Sequence, residues 1–164
     1  MKMQHMLSGA AAVVALVAAG CGGGGYGSSS SGSTSAASGS KNAQLKVVSD
    51  ARLGKIITDA KGRTLYDFPI DKGTMSVCYG ACASLWPPLT THGRPVAGAG
   101  VSAGLIGTSK RHDGTTEVTY AGHPLYYYAP DQTRGQITGQ ALDQFGAPWY
   151  ALAPGGREIH TPAN

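Results

Sequence analysis

Cys78 and Cys82, four apart in the run Cys78-Tyr79-Gly80-Ala81-Cys82, are the residues of this 164-residue chain whose types and spacing point most directly to chemistry. Residues four apart on a helical turn are neighbours within disulfide reach. A structural disulfide is expected, and closing so small a loop stabilises by roughly 2 kcal/mol. Two other uses stay open, a redox-active dithiol and a metal thiolate. Thioredoxin-type work has two intervening residues rather than three, and haem attachment needs Cys-x-x-Cys-His where Ala83 follows here. Beyond the amino-terminal stretch the histidines are His92, His112, His123 and His160, none with an i, i+2 or i, i+4 histidine partner. Spacing therefore predicts no metal site and no cofactor, and any ligand set would have to converge in three dimensions. His123, at a turn, is expected to be exposed. Thr91-His92 and Ser109-x-x-His112-Asp113 contain nucleophile and base types, but there is no Gly-x-Ser-x-Gly elbow, and Glu117 and Glu158 are the only glutamates. A non-catalytic role is the expectation.

A second chemically marked cysteine is Cys21. The chain opens with Lys2 and an apolar run from Leu7 to Ala19, too short to span a bilayer and patterned as a secretory signal. It closes on Ala18-Ala19-Gly20-Cys21, which resembles the lipobox of bacterial lipoproteins. The resemblance implies that residues 1–20 are a signal peptide and that the Cys21 thiol carries a diacyl group, palmitate or similar. Each buried methylene would contribute about 0.8 kcal/mol, so two or three chains hold the protein on the membrane. Gly22, next to the cysteine, is not the aspartate-type retention signal of Gram-negative lipoproteins. Residues 21–41 then read as the lipidated cysteine plus a Gly/Ser leash spanning roughly 25 Å, with almost nothing to bury. Residues 42–164 are long enough for one domain with a single core.

The formal charge of +4 falls to about +3 without Lys2, and the basic residues are scattered, with Lys110-Arg111 the only doublet after the signal. Such a surface does not argue for nucleic acid. It reads as solvated charge with some preference for anionic headgroups or polymers.

The elements that must position these residues carry an internal echo. GRTLYDFPID at 62–71 and GHPLYYYAPD at 122–131 align without a gap at an offset of 60, matching Gly62/Gly122, Leu65/Leu125, Tyr66/Tyr126, Phe68/Tyr128 and Asp71/Asp131. Each run follows a β-branched stretch and a glycine-containing turn, so each repeat predicts a β-hairpin. Further strands are expected at 45–49, near 106–109, at 115–120 and at 148–153, the last turning at Pro154-Gly155-Gly156 into 157–160. The one short helix expected is Gly80–Leu85, stopped by Trp86-Pro87-Pro88. The fold class is mainly β: a single small antiparallel domain of two related hairpin-containing repeats, with a helical turn at the Cys-x3-Cys segment. Alternation puts Tyr66 with Phe68, and Tyr126 with Tyr128, on a core face, leaving Asp67 and Tyr127 on a wet one. Asp71 and Asp131 are expected to accept backbone N–H groups in turns, or a tyrosine hydroxyl. Pro69 and Pro130 sit one position apart in the two motifs, which leaves room for the strand exits to differ.

Together, Tyr-x-Phe-x-x-Asp at 66–71, Tyr-x-Tyr-x-x-Asp at 126–131, the Cys78–Ala83 segment followed by Trp86-Pro87-Pro88-Leu89, and Gly146–Tyr150 resemble the bacterial secreted-repeat lipoproteins described by a Tyr-x4-Asp motif. That family brings no established reaction. The resemblance, over about Leu45 to Pro154, implies an exported envelope protein with the membrane, and an envelope protein or polysaccharide, as partners. The alternative reading is a periplasmic redox or metal/haem-handling accessory using Cys78, Cys82 and histidine or tyrosine ligands. Trp86 and Trp149 are expected in the core, the alternative being an exposed aromatic platform for sugars or a partner.

Overall fold

A computed structural model of the chain describes residues 42–162. The expected signal peptide, Cys21 and the Gly/Ser leash lie outside the described residues.

The domain is mainly β and built twice. In the first repeat β1 (Gln44–Asp50) and β2 (Gly54–Asp59) form an antiparallel hairpin with Leu45 opposite Asp59 and Asp50 opposite Gly54. Asp50 fixes the turn by accepting the backbone N–H groups of Arg52 and Leu53 on Oδ1. In the second repeat β5 (Ile106–Lys110) and β6 (Thr116–Tyr120) pair in the same sense, Ile106 opposite Tyr120. Each hairpin then turns tightly into its tyrosine strand. After β6 the turn is Ala121-Gly122, both at positive φ (52° and 89°), before β7 (His123–Pro124) pairs back on β6. That is the two-residue connection whose twist matches a hairpin. After β2 the turn is one residue longer and again places Gly62 at positive φ, 88°.

The tyrosine strands meet at the centre. Tyr66, in β3 (Tyr66–Asp67), and Tyr126 exchange both backbone hydrogen bonds, at 2.9 and 2.8 Å. Their outer flanks are covered by matching segments: Ala151 of β10 (Tyr150–Ala151) opposes Tyr66, and Pro88 opposes Tyr126. These flanks share a pattern, Trp86-x-x-Leu89 and Trp149-x-x-Leu152. Leu152 O accepts from Ile57 N at 2.9 Å and Leu89 O from Val118 N at 2.8 Å, so each flank ties the other repeat's hairpin to the centre. The pairing is antiparallel except for β4 (Val96–Ala97), which lies parallel to the start of β1. A 3-10 turn at Ala103–Leu105 and the hairpin of β8 (Asp143–Gln144) with β9 (Ala147–Pro148) complete the strands.

The central layer is buried on both faces. One face carries Tyr66, Phe68, Trp86, Tyr126, Trp149 and Ile137; the other carries Leu45, Ile57, Leu65, Leu89, Val118, Leu125 and Leu152. The wet face expected for Asp67 and Tyr127 is therefore corrected: Asp67 is fully buried and Tyr127 half-buried, because the hairpins fold over what alternation alone leaves open. The strand exits coincide despite the shifted prolines, since Asp71 N donates to Phe68 O and Asp131 N to Tyr128 O, each at 2.9 Å. At either central position proline leaves the closing N–H in place, because that N–H belongs to the aspartate.

Helix α1 (Ala81–Leu85) is one turn long. Trp86 N closes it on Cys82 O at 2.7 Å, and Pro87 ends it.

Candidate functional site

The motif tyrosines and aspartates are exchanged between repeats. Tyr66 Oη donates to Asp131 Oδ2 at 2.6 Å, and Tyr126 Oη to Asp71 Oδ2 at 2.7 Å. Each carboxylate also accepts a backbone N–H of its own loop on Oδ1, Val77 N on Asp71 at 2.8 Å and Thr138 N on Asp131 at 3.1 Å. Burial, reinforced by the facing carboxylate, keeps both tyrosine hydroxyls protonated far above their ordinary range. The rings cross over in the same way. Phe68, Trp149, Trp86 and Tyr128 form a continuous stack, with centroids 3.9, 4.0 and 4.4 Å apart. Tyr66 and Tyr126 stand edge-on to Trp86 and Trp149. Both tryptophans are 0% exposed, which excludes the sugar-platform alternative for them. Their indole N–H groups both end on Gln144, at Oε1 and at the backbone oxygen.

Cys78 and Cys82 are joined in a disulfide with Cα atoms 5.2 Å apart, buried beside this stack. Against it lies a group that charge patterning assigned to the surface. Arg111 is buried, donating at 2.8 Å to Glu117 Oε2, at 2.7 Å to Ser76 Oγ and at 2.7 Å to Cys78 O. Ser76 Oγ lies 2.7 Å from Tyr126 Oη, so the guanidinium is wired into the second tyrosine–aspartate pair. Burial pushes the Glu117 carboxyl up to about 7, with Arg111 opposing the shift. The correction has a physical basis, because the guanidinium is answered on every side, by the carboxylates of Glu117 and Asp113 and by Ser76 Oγ and Cys78 O. Among the described residues no hydrogen bond joins Ser109 to His112; the His112 backbone N–H donates instead to the Tyr79 hydroxyl oxygen at 3.1 Å.

A different polar group opens to the outside. Asp67, His123 and Glu158 bring one ligand-capable atom each to within 4.8 Å of one another. β3 supplies Asp67, β7 supplies His123, and the turn at Pro154–Gly156 folds Glu158 back opposite Leu152. His123 Nδ1 stands 3.2 Å from Asp67 Oδ2, and His160 Nε2 stands 3.1 Å from Glu158 Oε2. Asp67 is shut from solvent, His123 and Glu158 are partly open, and a cavity of about 270 Å3 lined by His123, Glu158, Phe68 and Gly73 leads to them. Burial raises the Asp67 carboxyl to about 6, His123 pulling it down and Glu158 adding to the rise; His123 is in turn raised, first by Asp67. A larger cavity, about 390 Å3 between His92–Pro95 and β5, gathers no carboxylate.

The family model described as a secreted repeat of unknown function matches twice, over residues 47–90 and 107–153. The chain belongs to this family. The two matches are the two structural repeats, each running from its hairpin through its tyrosine strand to its Trp-x-x-Leu flank. Family membership makes the protein an exported one. The chain matches no curated protein and no solved structure. No helix among the described residues is long and apolar enough to cross a membrane.

Within this secreted repeat the sequence-predicted residues Tyr66, Phe68, Asp71, Tyr126, Tyr128, Asp131, Trp86, Trp149, Cys78 and Cys82 all gather at the join between repeats. Cys21 lies outside the described residues. Sequence reasoning missed the Asp67–His123–Glu158 group, whose successive members are 56 and 35 positions apart in the chain. One signal was available: the repeat offset maps Asp67 onto Tyr127 and His123 onto Arg63, and these are the positions where the aligned motifs differ most in chemistry.

Proposed function

We propose that this protein is a lipid-anchored, non-catalytic envelope module, held on the membrane through Cys21 and a Gly/Ser leash, that binds an envelope protein or polysaccharide on its outer surface. The observation that supports this reading is the reciprocal Tyr–Asp exchange. It commits the motif's hydroxyls and carboxylates to joining the two halves, and the stack commits both tryptophans, so the motif serves as framework and not as a reaction centre. A redox role for Cys78 and Cys82 is disfavoured by the same burial, because a reactive thiol needs exposure.

Expression in an exporting bacterium with an alkyne-palmitate label tests the anchor. The wild type is expected to take up label and partition into detergent, and Cys21→Ala to do neither; a labelled variant, or an unlabelled wild type, would contradict it. Thiol titration of the native protein is expected to find none reactive in the domain, whereas two would restore the redox reading.

A further inference from the structure

We propose that Asp67, His123 and Glu158 form a binding site for a divalent transition-metal ion, with His160 positioning Glu158. This goes beyond the envelope-module reading and does not depend on it. Three independent features carry it.

The first is an unanswered buried carboxylate. Asp67 is 0% exposed, and neither of its oxygens has a hydrogen-bond partner among the described residues. His123 Nδ1, at 3.2 Å from Oδ2, pairs with it electrostatically, and Oδ1 is left with no partner of any kind among the described residues. A buried carboxylate is ordinarily paired and hydrogen-bonded or coordinated to a cation. Asp71, which also borders the cavity, offers no rescue, since both its oxygens are engaged by Val77 N and Tyr126 Oη.

The second is the spacing. Two donors held at about 2.0–2.1 Å from one tetrahedral ion stand about 3.3 Å apart. The 3.2 Å between His123 Nδ1 and Asp67 Oδ2 already matches, and Glu158, within 4.8 Å and at the cavity mouth, closes the set by a side-chain rotation. One imidazole and two carboxylates suit a first-row ion of borderline softness such as Zn2+; without a thiolate the set does not suit Cu+. Three protein ligands leave a position open toward the cavity. His160, 3.1 Å from Glu158 Oε2, is the outer partner that orients a ligating carboxylate.

The third is the contrast between the two repeats. The symmetry-related position is closed: Arg63 lies 4.1 Å over the Tyr127 ring, and Tyr127 Oη donates to Asp59 Oδ2 at 3.2 Å. The duplicated framework thus builds a self-satisfied contact at one end. At the other it places a carboxylate and an imidazole whose remaining partner has to come from outside.

The test uses the full chain as processed by an exporting host, solubilised in detergent, stripped with EDTA and titrated with Zn2+ by calorimetry, with histidine resonances followed by NMR. Saturable one-to-one binding that shifts the His123 imidazole, and not those of His92 or His112, is expected. His123→Ala and Glu158→Gln should each weaken binding about 100-fold, and His160→Ala about tenfold. Asp67→Asn keeps the shape and removes the buried charge, so it should match or exceed the wild type in thermal stability in EDTA while losing binding about 100-fold. That opposite pair of effects is one a merely structural aspartate would not give. Absence of saturable binding, or binding unchanged by Asp67→Asn and His123→Ala, would overturn the proposal.

Discussion

At the residue scale, a repeated Tyr-x4-Asp motif suggests a local partnership, but each tyrosine bonds the aspartate of the other repeat. A tyrosine and an aspartate five residues on, separated by a strand exit, point to different places; the two-fold crossing at Tyr66 and Tyr126 is what brings the foreign carboxylate within 2.6–2.7 Å. The acceptor role of Asp71 and Asp131 toward turn N–H groups or a tyrosine hydroxyl was legible, and which repeat supplies the tyrosine was not, because nothing local encodes it. Arg111 was illegible for the same reason: only the fold reveals that Glu117, at 2.8 Å, makes its burial tolerable. The Glu117 carboxyl, raised by burial to about 7 in the folded chain and ordinary in the unfolded one, gives a pH signature. The folded state binds the extra proton between about pH 4.5 and 7, so this group's contribution falls as pH rises through that window. Glu117→Gln removes the dependence. The stability of the wild type minus that of Glu117→Gln, measured by urea denaturation, is expected to fall by about 1–3 kcal/mol from pH 5 to pH 8. A signed difference that stays level or rises with pH would contradict the burial of this carboxyl.

At the element scale, strands β1, β2, β5 and β6 and the tight turns from β2 and β6 into the tyrosine strands were readable from β-branched runs and turn glycines, because local preference and tertiary pairing agree there; the pairing of β1 with β2 and of β5 with β6 was not. The tyrosine strands β3 and β7, and β10 within 148–153, were legible too, though as longer runs than the two residues that pair; β4, β8 and β9 were not, since segments that short are strands only by virtue of distant partners. The Trp-x-x-Leu flanks lay in plain view at 86–89 and 149–152 as a second repeat signal. They escape a motif-by-motif reading because Pro87-Pro88 disguises one of them as a helix terminator. The disulfide pins the single helical turn against this flank. Replacing both cysteines by serine is expected to cost about 2 kcal/mol in chemical denaturation while leaving the near-ultraviolet spectrum of the stacked tryptophans intact. Loss of that spectrum with the chain still folded would mean that the staple, not the stack, orders the join.

At the scale of the whole molecule, the domain is a duplication in which neither half is complete. Each hairpin is capped by the other repeat's flank, each motif carboxylate faces the other repeat's tyrosine, and the stack alternates Phe68 of one repeat with Trp149 of the other, then Trp86 with Tyr128. Exchange of this kind commits the motif's hydroxyls and carboxylates to joining the halves, and leaves the unmatched polar groups where the two repeats cease to match, at Asp67 and His123. The most direct measurement is a pair of double-mutant cycles on stability, Tyr66→Phe combined with Asp131→Asn and Tyr66→Phe combined with Asp71→Asn. A coupling of about 1–3 kcal/mol is expected for the first, as for a hydrogen bond to a buried carboxylate, and under about 0.5 kcal/mol for the second. Coupling concentrated in Tyr66 with Asp71, the pair adjacent in sequence, would contradict the interlocked architecture.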